Sequence, residues 1–463
     1  MSEQDLWART ARVLIVHLSA RLKDRGNVSD VATLLSPRGH TATAGLRRRR
    51  NRRSTATPAL GRGLACVLAL TLAGCAAAPL PRNPLPPELM LDAKAPGIDC
   101  GRAWPMSEQV ATSDAADLQI DQLERAYPDR FRPGGDGEFS ILALSGGADN
   151  GAYGAGFLRA WSESGTRPEF TIVTGVSTGA LSAPFAFLGS DWDDELAEVY
   201  GISADQVIRR RPWTAIWGAA SVVDTTPLLQ TIRRYATEEM LDAIAREHEK
   251  GRRLVVQSTS LDAKRPVIWN LGCIAASDAP NRLDVFHKAL LASASVPVAF
   301  PLVRMEVEAN GRLYDELHGD GGIISQTTVL SSFLLTHDLF EGRGYRPRLT
   351  MYVIRNGQLL PEWEAVEPRL PDIAQQTVST MIAINGAAGL LLSREVAEET
   401  GFDFKATWID TDFDVPYSGP FDPVYMKALM DYGYDRFARG DGWADRLFVF
   451  DLVTDRPMSP ASR

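Results

Sequence analysis

Several things are scarce in this chain, and each scarcity excludes something. Among 463 residues there are only four cysteines, too few for a disulfide framework. The basic residues are concentrated at one end. Residues 1–75 hold thirteen of the 49 Lys and Arg but only four of the 58 Asp and Glu. The remainder is left with 36 against 54, a net charge of −18. A body this acidic lacks the electrostatic footprint of a nucleic-acid binder. No internal repeat is evident, which argues against solenoid architectures. The apolar run Leu64–Ala73 spans about ten residues, too short to cross a bilayer. What remains is globular composition, 45% hydrophobic and 23% charged, with enough chain for one large core or two modest ones.

The N-terminal basic segment has an order of its own. Arg47–Arg53 form a charged block, Leu64–Ala73 an apolar core, and Leu72-Ala73-Gly74-Cys75 a small-residue ending at a cysteine. This resembles a bacterial lipoprotein signal. The resemblance implies that Cys75 is lipidated and becomes the new N-terminus. Residues 46–75 are then the signal, and 1–45 an untranslated or disordered extension. Ala76 follows the cysteine, which by the same resemblance favours the outer membrane, facing the periplasm. Ala76–Pro96 is rich in Ala, Pro and Leu and reads as a semi-rigid tether, part of a lead-in over 76–137. Cys100 and Cys273 are the cysteines left in the body. An exported chain can oxidise them to a disulfide, and two free buried thiols are equally compatible with the sequence.

From residue 138 to 455 short apolar runs alternate with helical stretches. "FSILALSGG" and "EFTIVTG" read as buried strands ending in glycine. "GAYGAGFLRAWSESG" reads as a helix with Phe157, Leu158 and Trp161 on one face. A single helix is expected over "TPLLQTIRRYATEEMLDAIAREHEKG", and a last strand at "RLFVFDL". The alternation predicts one α/β domain with a mostly parallel central sheet covered on both faces.

Three loops carry chemistry. Gly175-Val176-Ser177-Thr178-Gly179 is G-x-S-x-G between a strand and a helix. That context makes Ser177 a candidate nucleophile on a strained turn, with the helix N-terminus beside developing negative charge. Ser145-Gly146-Gly147-Ala148-Asp149-Asn150-Gly151 follows the preceding strand. Its backbone N–H groups suit an oxyanion hole; no Lys follows as in a Walker motif. The base need not be histidine. Of His287, His318 and His337, which follow both Ser177 and an acid such as Asp262, only His318 sits in an evident loop, "ELHGDGGIIS". The same loop offers Asp320 followed by Gly321 and Gly322, a carboxylate on a glycine turn that can serve as base.

Taken in order, the three motifs resemble the patatin-like phospholipases, and "ALLASASVPVAFPLV" (Ala289–Val303) strengthens the likeness. The resemblance implies a three-layer α/β/α fold and a Ser-Asp dyad with no metal or cofactor. Carried over, Ser177 is the nucleophile and Asp320 the base. Gly146, Gly147 and Ala148 are the oxyanion donors, and Gly151, Gly175, Gly179, Gly321 and Gly322 the motif glycines. Ala148 stands where the family has a third glycine, and Asn150 where it has a basic residue, which weakens a phosphate contact there. The implied activity is hydrolysis of lipid acyl esters at a membrane, through an acyl-enzyme. An acyltransferase on the same fold, or a silent lipid- or partner-binding lipoprotein, are the alternatives. Trp213 and Trp217 read as core or a lipid-facing lid, and Arg209–Arg211 as a solvated face. Asp149, Asp193, Asp194 and Asp224 are too scattered for a metal loop. Oligomeric state is not encoded legibly.

Overall fold

A computed structural model describes residues 82–105, 113–210, 221, 223–297, 299–329, 339–359, 365–440 and 442–444. They belong to one compact unit, Ala69–Arg463. The signal segment with Cys75, Trp213, Trp217, Arg211, His337 and the expected strand "RLFVFDL" lie outside the described residues.

Nine strands form one sheet: β1 (Arg102–Ala103), β2 (Glu138–Leu144), β3 (Ile172–Val176), β6 (Arg253–Ser260), β7 (Arg265–Asn270), β8 (Val303–Ala309), β9 (Arg312–Asp320), β10 (Arg348–Gln358) and β11 (Asp403–Ile409). Two short strands, β4 (Arg209–Arg210) and β5 (Val223–Asp224), pair separately. Five central strands run parallel in the order β11-β10-β2-β3-β6. Strands β7, β1, β9 and β8 add antiparallel pairings at one side.

The ten helices used below are α1 (Ser113–Ala126), α2 (Gly151–Glu163), α3 (Thr178–Leu188), α4 (Asp193–Val199), α5 (Thr226–Tyr235), α6 (Glu238–Glu249), α7 (Leu271–Ala276), α8 (Arg282–Ser293), α9 (Leu370–Thr400) and α10 (Pro423–Ala438). The sheet sorts its side chains with period two. On β2, Leu142 and Leu144 join a core shared with α2, α3, α6 and α8, whereas Phe139, Ile141 and Ala143 join a second core with α1 and α9. All seven β2 residues are buried. A strand covered on both faces must read as continuous hydrophobicity, as this one does. The result is the expected three-layer α/β/α arrangement.

Two expectations need correction. The helix read over residues 226–251 is two helices. Ala236 leaves helical geometry, and the Thr237 side chain caps α6 by accepting from the Met240 N–H, an alternative that Thr offers the backbone. The tether is also shorter than Ala76–Pro96. Residues from 83 onward are bound to the body: Asn83 O accepts from Asp315 N, and Lys94 pairs with Glu308. Ala93, Ala95 and Ile98 are buried, so the apolar residues of a Pro-rich segment found a surface to cover. Cys100 and Cys273 form a disulfide with a Cα–Cα distance of 6.0 Å, within the ordinary range.

Candidate active site

Strand β6 builds the site. Its inner edge is shared in succession by two strands. β3 pairs with it up to Val176↔Gln257. β9 takes over at the next residue, Ser258↔Asp320. The C-terminal ends of β3 and β9 therefore face each other along one edge, and the residues at the junction are Ser177 and Asp320.

Ser177 adopts φ 55° and ψ −124°, a conformation a side-chain-bearing residue rarely holds without a reason. The flanking glycines make it possible. A Cβ on Gly175 would collide with the Gly179 carbonyl, and one on Gly179 with the Leu144 carbonyl. The Ser177 N–H donates to Ser293 Oγ at 3.0 Å, and the Ser293 hydroxyl donates to Gln257 O at 2.6 Å. The Ser177 hydroxyl stands at the N-terminus of α3, where unpaired N–H groups favour negative charge.

Asp320 is fixed by its backbone. Its N–H donates to Ser295 O at 2.8 Å, and its carbonyl accepts from Thr259 Oγ1 at 2.9 Å. Oδ1 accepts from the Gly322 N–H at 2.7 Å. Oδ2 is buried with no hydrogen-bond partner. Burial pushes the carboxyl up to about 7, against the opposing pull of the Ser177 hydroxyl and the Gly322 N–H. The Ser177 hydroxyl thus favours the charged form, while Oδ2 itself makes no hydrogen bond. Such bonds commonly tighten only when substrate binds. A base poised near neutral pH suits proton abstraction.

The glycine loop after β2 lies against this pair. A Cβ on Gly146 would approach Ser177 Cβ to 3.1 Å. The Gly146 N–H itself is spent on Gln326 O at 3.0 Å. Among the described residues, the Gly147 and Ala148 amides have no acceptor, and Ala148 sits at φ 52°. Asn356 supports the loop from behind: its N–H donates to Ser145 Oγ and its Nδ2 to Ser145 O. Asp149 is buried and accepts from the Phe421 N–H at 3.1 Å, with burial pushing its carboxyl up. Asn150 Oδ1 accepts from the Tyr425 hydroxyl.

Beside Ala148 and Thr178 opens an apolar cavity of about 70 Å³, walled by Leu181, Phe185, Leu228, Ile232, Met240 and Phe421 among others. Its lining is predominantly apolar, which suits a hydrocarbon group.

His318 is not at the site. It is buried on β9, where Nδ1 meets Ser258 Oγ and Nε2 meets Glu316 Oε2, both at 2.9 Å. Among the described residues no group of His, Cys, Asp and Glu is arranged to hold a metal. Reading the sequence missed Gln257, Gln326 and Asn356, which support the loops. The signal for Ser293 was present in the Ser-Ala-Ser run, where its hydroxyl holds the Ser177 N–H; Ser295 meets Asp320 only through its backbone carbonyl, its own hydroxyl donating to Leu291 O.

Residues 142–332 match the family model described as patatin-like phospholipase. This stretch, less than half of the chain, is similar to the patatin-like phospholipases. It contains Ser177, Asp320 and the whole glycine loop. No curated protein matches. Similar solved structures include VipD from Legionella pneumophila, 12% identical with a TM-score of 0.35 over 65% of this chain and 66% of that one. Human GIVD cytosolic phospholipase A2 is 10% identical, with a TM-score of 0.28 over 62% and 52%. The type III effector protein ExoU is 12% identical, with a TM-score of 0.17 over 68% and 57%. The chain thus covers 66% or less of each.

Proposed function

We propose that the protein cleaves lipid acyl esters in the manner of a phospholipase A or lipase, through a Ser177–Asp320 dyad and an acyl-enzyme. The observation that carries this reading is the junction on β6, with a strained serine facing a buried carboxylate of pKa about 7. Asp320 takes the Ser177 proton as Oγ attacks the ester carbonyl. The Gly147 and Ala148 amides receive the oxyanion. Collapse of the tetrahedral intermediate expels the alcohol, which leaves with the proton from Asp320. Water, deprotonated by Asp320, then attacks the acyl-enzyme; the bond to Ser177 Oγ breaks, the fatty acid leaves and Asp320 returns the proton to Oγ. The acyl chain occupies the cavity beside Thr178.

The same proposal places the enzyme on a bacterial envelope membrane, held by a lipid on Cys75 and facing the periplasm. The Cys100–Cys273 disulfide fits that oxidising compartment. Reaction with a fluorophosphonate probe tests the chemistry. Wild type should label and hydrolyse a short activated ester, and Ser177→Ala should do neither. A wild type that is inert to both would refute the dyad.

A further inference from the structure

Helix α9 presents two unlike surfaces. From Ile373 to Ser393 the sequence holds 21 residues without one Asp, Glu, Lys or Arg, about 31 Å of helix at 1.5 Å per residue. Beyond Ser393 the charges return, and Glu395, Glu398 and Glu399 line the exposed face while Val396 and Ala397 face the core. That second half is an ordinary amphipathic surface helix. The first half is exposed yet uncharged. Met381 and Ile384 are each 55% exposed, and Ile373 and Val378 also face out. Together with Leu392, these side chains lie within an arc of about 140° at 100° per residue.

We infer that this face of α9 seats the enzyme on the surface of an uncharged or zwitterionic bilayer. The inference rests on the lipid-hydrolase reading above. Three observations select a lipid surface as the occupant. The face is continuous with the site: α9 packs on the Gly321–Ile323 turn that follows Asp320, Gly389 lies over Thr327 and Ser325, and Ile324 beside them is exposed. The chain between the expected anchor and the described part is short. Six residues lie between the expected lipid anchor at Cys75 and Arg82, a reach of at most about 25 Å, so a bilayer is always at hand. The charge pattern also fits. A body of net −18 is repelled by anionic lipid, and the α9 face carries no Lys or Arg to offset this. No described helix is long and apolar enough to cross a membrane.

The test uses the full chain with Cys66→Ser and Cys75→Ser, which removes the lipid and the remaining free thiols. An environment-sensitive dye is placed at Met381→Cys or, as control, at Glu395→Cys. With phosphatidylcholine vesicles the dye at 381 should brighten several-fold and be quenched by bromine-labelled acyl chains. The dye at 395 should not change, and phosphatidylglycerol should not strengthen the response. In parallel, Met381→Glu with Ile384→Glu should lower vesicle hydrolysis about tenfold or more, the scale of two apolar side chains kept in water. Hydrolysis of a soluble ester should be unaffected. If vesicles are hydrolysed while the dye at 381 stays dark, or if the double variant converts a dimer to a monomer instead, the inference is overturned. Absence of soluble-ester hydrolysis in wild type would defeat the catalytic reading instead, since the dye response reports on α9 independently of turnover.

Discussion

Strand β9 carries three buried carboxylates, and they are treated in opposite ways. Asp315 and Glu316 meet cations. Burial pushes the Asp315 carboxyl up, but the Asn83 N–H, Arg304 and Arg82 outweigh it and hold it below the usual range. Burial likewise pushes Glu316 up, and His318 and Arg102 overcome it. Five residues from Asp315, Asp320 has no cation, one unpartnered oxygen and a carboxyl pushed up to about 7. A buried acid that serves architecture is neutralised by its neighbours, because desolvating a bare charge is costly. Asp320 is left bare beside Ser177, where the proposed reaction exchanges a proton. The unpaired group on a strand of paired ones is the stronger functional signal.

The largest effect should come from removing the bare carboxylate. Asp320→Asn should lower kcat on a short activated ester by about 10³-fold, within the usual range for a general base, while folding intact. Wild-type kcat/KM should rise with pH through a midpoint of about 7, since only the ionised form accepts a proton. Stability follows the opposite sign. A raised Asp320 contributes stability below its unfolded value that is lost as pH rises through about 7. Asp320→Asn should therefore be more stable than wild type at pH 8, by thermal unfolding, and lose that advantage at pH 5. Asp315 and Glu316 contribute with the reverse sign, above their unfolded values, and their share is lost as the solution is acidified.

Removing a cation from the paired end should cost stability rather than chemistry. Arg102→Met strands Glu316 in the interior and should destabilise the fold by about 3–5 kcal/mol in urea titration, with kcat of the folded enzyme little changed. A large loss of kcat with normal stability would erase the contrast. Reducing Cys100–Cys273, which ties the strand bearing Arg102 to α7, should cost about 2–4 kcal/mol, read as a fall in Tm with reductant. Smallest is Ser293→Ala, which takes the acceptor from the Ser177 N–H. It should cost about 1–3 kcal/mol and lower kcat more than it raises KM, because the elbow loosens while the cavity stays.

Much of this was readable before any coordinates. The continuous apolar runs of β2 and β3, the glycines around Ser177 and the Asp-Gly-Gly turn are local signals, set by backbone sterics and by burial on two faces. The break at Ala236–Thr237 was hidden because Thr is an acceptable helix residue until its hydroxyl finds an N–H to cap. The docking of residues 83–104 was hidden because proline-rich composition describes a free chain and says nothing of the surface waiting for it. His318 stood two residues from Asp320, yet on the strand it turns to Glu316 and Ser258 instead.

By itself the sequence determined the layered α/β class and singled out Ser177 and Asp320 as candidates, because periodicity and turn chemistry act over a few residues. Only the tertiary structure decided how Ser177 and Asp320, 143 positions apart in the chain, come together. It also decided which carboxylates keep a cation and which glycine-loop amides stay open, with Gly146 already spent on Gln326. These depend on two strands ending against one edge of β6 and on what is buried beside them, and the free energy of a charge is set by its surroundings rather than by its neighbours in sequence.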